Sequence, residues 1–198
     1  VACSSMFAQD AKQIRKERQE IKKMAKAELS ARVDKTTKKE AKRLKKEGWV
    51  VNPGALPLEK QLERSYLMEF EFDENLFPKY IMANAQSIGE NYDAAKTAAM
   101  SLATDNLAGQ IQIEVTALIE NTVVNKQLAA EDAASIVETV MASKNLISQS
   151  IGRVITTVEC YHVLDNKNRE VMVRIAYNSE MAKKAIKEEV REELKKKG

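Results

Sequence analysis

The chain of 198 residues is poor in the groups on which most small enzymes rely, with one histidine, His162, two cysteines, Cys3 and Cys160, three prolines and six glycines. A single imidazole has no second His or Cys at metal-ligand spacing, and no G-x-S-x-G elbow is present, so zinc chemistry and Ser-His triads are not expected. The glycines at 48, 54, 89, 109, 152 and 198 are scattered, and none builds G-x-G-x-x-G or a phosphate-cradling G-x-x-x-x-G-K-[ST] loop. The chain is therefore read as a non-enzyme with no catalytic residue, no metal ligand and no cofactor. Cys160 stands in an apolar alternating segment where a small hydrophobe would serve equally, so Cys160 and His162 are both read as structural and no disulfide with Cys3 is expected. No run reaches the roughly 20 apolar residues of a membrane-spanning helix.

What the sequence does have is charge, unevenly spread. The formal balance is only +3, yet residues 11–47 carry 15 Lys/Arg against 6 Asp/Glu, a net of +9 that leaves −6 for the remainder. A basic arm precedes an acidic body. The opening Val1-Ala2-Cys3-Ser4-Ser5 reads as the end of a bacterial lipoprotein signal within a longer precursor, with small Ala2 before a cysteine that would take the lipid. The alternative is an ordinary cleaved signal peptide ending near Gln9, although Met6 and Phe7 fit its small-residue cleavage pattern poorly. Both readings send the chain to the cell envelope, and the first also attaches it to a membrane at Cys3; the remaining reading is a cytosolic protein whose terminus is trimmed arbitrarily.

The expected organisation is a signal or lipid-attachment segment over 1–9, a basic helical arm over 10–48, a connector over 49–57 and an α/β body over 58–198. Asp10 to Glu47 contains no Pro or Gly and is rich in helix formers, which predicts one long helix. Its apolar stripe, Ile14, Ile21, Met24, Ala25, Leu29, Val33, Ala41 and Leu44, is thin and broken, so the helix is expected to be mostly solvated and the body to fold without residues 1–47. Leu58, Leu62, Tyr66 and Phe70 recur every four residues, a short amphipathic helix, although Tyr66, Met68, Phe70 and Phe72 also alternate like a strand. Tyr80 to Ala85 reads as a buried strand, Asn91 as the cap of an Ala-rich helix ending at Gly109, and Ile111 to Ile119 as a half-buried strand with Gln112, Glu114, Thr116 and Glu120 on its wet side. A helix over Glu131 to Ser148 follows, then a hairpin of Val154 to Leu164 with Val171 to Tyr177, then a final helix with Ala182, Ile186, Val190 and Leu194 inward. The fold class is α+β: a small mixed or antiparallel sheet with helices on one face, in the order β-α-β-α-β-β-α, preceded by the long basic helix.

Two other chemistries compete with a purely structural reading. Glu69, Glu71, Asp73 and Glu74 cluster in sequence, the one place a carboxylate-dependent hydrolase or a Ca²⁺ site could arise, though without the glycine and twelve-residue spacing of an EF-hand loop. Lys22-Lys23, Lys38-Lys39, Lys42-Arg43 and Lys45-Lys46 could attract an anionic polymer or lipid headgroups. The arm lacks interleaved aromatics for base stacking, so a nucleic-acid partner is not expected.

Phe77-Pro78-Lys79-Tyr80-Ile81, Asp93-Ala94-Ala95-Lys96-Thr97-Ala98-Ala99, Leu107-Ala108-Gly109-Gln110-Ile111, Ser150-Ile151-Gly152-Arg153 and Glu170-Val171-Met172-Val173-Arg174-Ile175 together resemble the LPP-twenty lipoproteins of Gram-negative bacteria, over roughly residues 77–185. The resemblance implies a lipoprotein of the outer membrane or a periplasmic protein, acting through envelope proteins or self-association, with no catalytic residues of its own. The basic arm and the Gly48 to Pro57 connector depart from the simpler members of that family, so a flagellar role is not carried over.

Overall fold

The computed structural model describes residues 2–124 and 130–197, with side chains over 12–119 and 132–188. Among the described residues the architecture is α+β, with seven helices and one three-stranded antiparallel sheet. In chain order the elements are α1 Ala2–Lys23, α2 Lys26–Lys46, α3 Leu58–Glu69, β1 Tyr80–Gly89, α4 Tyr92–Val124, α5 Ala130–Ala142, α6 Lys144–Ser150, β2 Ile155–Val163, β3 Arg169–Asn178 and α7 Ser179–Lys197. The strand order is β1-β3-β2, so β3 is central and both its neighbours are edges.

Local chemistry accounts for several boundaries. Gly48 takes φ +89° after α2, and Gly48 N–H and Trp49 N–H donate to Lys45 and Leu44 carbonyls, a left-handed helix stop that residues with a Cβ adopt poorly. Asn91 caps α4, its Oδ1 accepting from Ala94 N–H at 2.9 Å. Gly89 lets β1 end hard against that helix start, since a Cβ there would lie 2.6 Å from Ala95 N. The β2–β3 hairpin turns through Leu164 and Asn168, with Lys167 at φ 67° and Asn168 N–H donating to Asn166 Oδ1. Residues 58–69 are helical, with Leu58 and Leu62 buried, which removes the strand reading of that segment.

β3 sorts its side chains by parity. Val171, Val173, Ile175 and Tyr177 face a core shared with Ala95, Ala99, Ala103, Leu107 and Ile111 of α4 and Ala182 and Ile186 of α7. Val190 and Leu194 of the last helix lie outside the described side chains. Met172 faces the other way, into a second core with Val158 and Cys160 of β2, Ala41 and Leu44 of α2, Trp49, and Leu58 and Leu62 of α3. The sheet is thus covered on both faces, a correction to the expected single helical face.

Three further expectations change. Ile111–Ile119 is not a strand: α4 runs through Gly109 to Val124, and the order from β1 is β-α-α-α-β-β-α. Ile111 and Val115 are buried one helical turn apart, whereas Ile113, which a strand would also turn inward, is 55% exposed. Gln112, expected to be solvated, is buried and donates to the carbonyls of Val140 and Met141 at 2.8 and 3.0 Å, tying α4 to α5. The β-branched residues there record a preference for packed surfaces, which a helix on a sheet also satisfies. The expected single helix over Glu131 to Ser148 breaks at Ser143, whose hydroxyl donates back to Thr139 O at 2.7 Å.

The basic segment is likewise two helices, broken at Met24 and Ala25. Its second half is not solvated. Val33, Thr37, Ala41 and Leu44 of α2 are buried, and Glu40 reaches Arg174 of β3 at 3.2 Å. α2 therefore shares the core of residues 58–198, a correction to the expected solvated arm, because a stripe thin in number is continuous at helical spacing over Val33, Thr37, Ala41 and Leu44.

Candidate interaction cleft

A cleft of about 240 Å³ opens where α1, the end of α3, the first residues of β1 and the middle of α4 converge. Ile14, Ile21, Phe70, Phe72 and Met82 supply apolar wall, and Glu17, Arg18, Glu69, Gln110 and Glu114 supply polar groups. Arg18 of α1 bridges to α4 at this cleft. The guanidinium makes two bonds to Glu114, at 3.1 and 2.5 Å, also donates to Leu76 O at 3.4 Å, and lies 5.5 Å from the Phe72 ring centre. Lys22 Nζ adds a bond to Asp73 O at 2.7 Å, so among the described side chains of α1 two cations make the hydrogen bonds to the body.

The loop from Phe70 to Lys79 forms the floor. Phe72 and Pro78 bridge across it, Asp73 N–H donates to Phe77 O at 2.9 Å, and Asp73 Oδ1 accepts from Asn75 and Phe77 N–H. Leu76 has φ 65°, a left-handed turn position occupied without glycine. The acidic run read from the sequence is thereby taken apart. Asp73 is spent on the turn and on Lys183 at 3.8 Å, Glu71 pairs with Lys79 at 3.8 Å, Glu74 is exposed, and only Glu69 enters the cleft.

Among the described residues Glu17 and Glu69 have no hydrogen-bond or ion-pair partner, while Glu114 is committed to Arg18. Dense surroundings raise the Glu69 pKa above the ordinary carboxylate value; nearby Glu40 adds to the rise and Arg174 opposes it. Glu69 remains accessible to water, which screens these charges. The two charges acting on Glu69 belong to a second cluster behind it. Arg174 binds Glu40 and, at 3.4 Å, Ser65 Oγ, its guanidinium lies 5.3 Å from the Tyr66 ring, and the Tyr66 hydroxyl donates to Glu40. Burial and that carboxylate raise the Tyr66 pKa. Every charged member of this cluster is partnered within the fold, which suits cohesion between α2, α3 and the sheet.

Cys160 is buried among the α2–α3 core residues, and burial pushes its thiol up to about 12, so it packs as an apolar group. His162 Nε2 lies 2.6 Å from Glu170 Oε2 on the neighbouring strand, and its ring rests 4.4 Å from that of Trp49. Cys3 falls in the first turn of α1, and its side chain lies outside the described set. Of the arm cations, Lys38, Arg43 and Lys45 pair with Asp34, Glu47 and Glu59 rather than forming one free face. Among the described residues no group of three or more His, Cys, Asp or Glu could hold a metal ion.

The pairing of Arg18 with Glu114 at the cleft is the feature that sequence reasoning missed. The two residues are 96 positions apart, and alternation along Ile111 to Ile119 places Glu114 on the wet side of a strand, so no local signal joins them. No family model, no curated protein and no solved structure matches this chain.

Proposed function

We propose that this protein is a non-enzymatic interaction protein of a Gram-negative cell envelope, similar to the LPP-twenty lipoproteins, and that it works by binding another envelope protein at the α1–β1 cleft. Acyl chains on Cys3 would hold it at the outer membrane, each buried CH₂ adding about 0.8 kcal/mol. The observation that carries the reading is the cleft itself, with its apolar wall beside two unpaired carboxylates, Glu17 and Glu69. Such a surface is completed by a partner that brings apolar area and positive charge.

A photo-crosslinking amino acid at Gln110, in the cleft, and at Lys167, in the hairpin turn at the other end of the sheet, tests this in intact cells. A discrete adduct with one envelope protein from position 110 alone is expected. Equal labelling at both positions, or none at 110, overturns it. Cys3→Ser should move the protein into soluble fractions, and a native protein whose mature terminus follows Cys3 overturns the anchor. The raised pKa of Glu69 in a cleft favours one second reading, a carboxylate-dependent hydrolase. Turnover of chromogenic glycosides or esters that Glu69→Gln abolishes would establish it in place of the first.

A further inference from the structure

The two edges of the sheet are treated differently. β2 is sealed: Val50 and Tyr161 exchange backbone hydrogen bonds at 2.8 and 2.9 Å, Glu159 N–H donates to Gln61 Oε1 at 2.8 Å, and the register shifts between Thr156 and Val158. A bonded neighbour, a side-chain cap and a bulge are the usual devices that stop a sheet from adding strands. Among the described residues β1 has almost none of them. Its ten residues, Tyr80–Gly89, include no charge and no proline, and its register with β3 runs without a shift. Ser179 N–H donates to Lys79 O, which makes odd-numbered positions of β1 the ones bonded to β3 and turns the main-chain groups of Tyr80, Met82, Asn84, Gln86 and Ile88 outward. Among these, Asn84 O is capped, by Asn106 Nδ2 at 2.9 Å. Asn84, Gln86 and Ile88 are exposed, Ile88 by 55%.

We infer that the β1 edge accepts an extended segment of a partner protein as a fourth strand, one carrying a lysine or arginine that enters the cleft and pairs with Glu69. This deepens the reading above and rests on it. Backbone pairing along β1 provides affinity without reading sequence, and side-chain pockets provide the choice. Charge complementarity selects the occupant: the cleft at the Tyr80 end holds Glu69 and Glu17 unpaired, while its one arginine is consumed by Glu114. Apolar side chains of the incoming strand lie beside Met82 and Ile88 on the face that α3 leaves open. The strand's own N–H replaces Asn106 on Asn84 O.

The probe is an octapeptide of alternating lysine and valine, compared with its glutamate and valine counterpart, with amide exchange followed residue by residue on the full chain. The lysine peptide should slow exchange at Met82, Gln86 and Ile88 about tenfold, a gain expected when an exposed N–H acquires a strand partner. Gln86→Pro removes an outward N–H and none of the bonds to β3, and should weaken binding about tenfold. Glu69→Gln should weaken it about fivefold by removing the charged acceptor. Should Gln86→Pro fail to fold, Met82→Lys tests the same edge by charging it. Equal binding of the glutamate peptide, unchanged exchange at the outward amides, or protection of those amides in a dimer formed without peptide each overturns the proposal. A cellular adduct at position 110 without peptide protection defeats only the added strand; protection without an adduct defeats only the envelope contact.

Discussion

The two halves of the basic segment resemble each other in composition and differ in what they do. Both α1 and α2 are helical, rich in Lys, Arg and Glu, and without Pro or Gly. In α2, Val33, Thr37, Ala41 and Leu44 fall on one face, and Leu44 is 1% exposed beneath α3 and the sheet. Among the described side chains of α1, Ile14 is 44% exposed and Arg18 and Lys22 make the hydrogen bonds to the body. The lesson is that charge content does not decide burial. A few apolar positions in phase do, and where they are missing a bidentate arginine can still place a helix, with much less energy behind it.

The largest effect should come from removing that difference outright. Deleting residues 1–47 strips α2 from the core around Trp49, Leu58 and Leu62, and the remaining chain should lose its cooperative thermal transition by circular dichroism; deleting only 1–24 should preserve it. Cooperative melting of both would mean that the buried face of α2 contributes little. On a smaller scale, Leu44→Ala should cost about 3 kcal/mol in urea denaturation, since the site is filled on all sides, whereas Ile14→Ala should stay within about 0.5 kcal/mol. Arg18→Ala should change global stability by less than about 1 kcal/mol, yet speed amide exchange throughout α1 and leave α2 unaltered. Matched acceleration in both helices would show that they dock as one unit.

The smallest effect concerns Glu69 and has a definite sign. Its folded pKa is raised above the ordinary 4.5, so the native state holds this proton more tightly than the unfolded chain does. That contribution to stability is complete below the ordinary value and is lost as pH rises through the folded one. Glu69→Gln should therefore raise the melting temperature slightly at neutral pH and leave it unchanged below pH 4.5. The opposite order, a gain only in acid, would mean that an unrecognised cation holds Glu69 ionised.

The cleft was only partly legible beforehand. Glu69 stood in an acidic run that drew notice, but its neighbours Glu71 and Asp73 were equally good candidates until the loop consumed them on Lys79 and on the turn. The openness of β1 was present as an uncharged segment, and it became an edge only when β2 and β3 paired on one side of it.

Sequence alone determined the α+β class, the β2–β3 hairpin, the Asn91 cap and the Gly48 stop, because turn chemistry, caps and periodicity act within a few residues of where they are written. Tertiary structure decided the rest. Ile111 to Ile119 satisfies both a period of two and, through Ile111, Val115 and Ile119, a helical one; the sheet that receives Ile111 and Val115 chose between them. Whether a thin stripe on a charged helix becomes core, and which arginine meets which carboxylate, depend on surfaces supplied from far along the chain, and those exist only once it has folded.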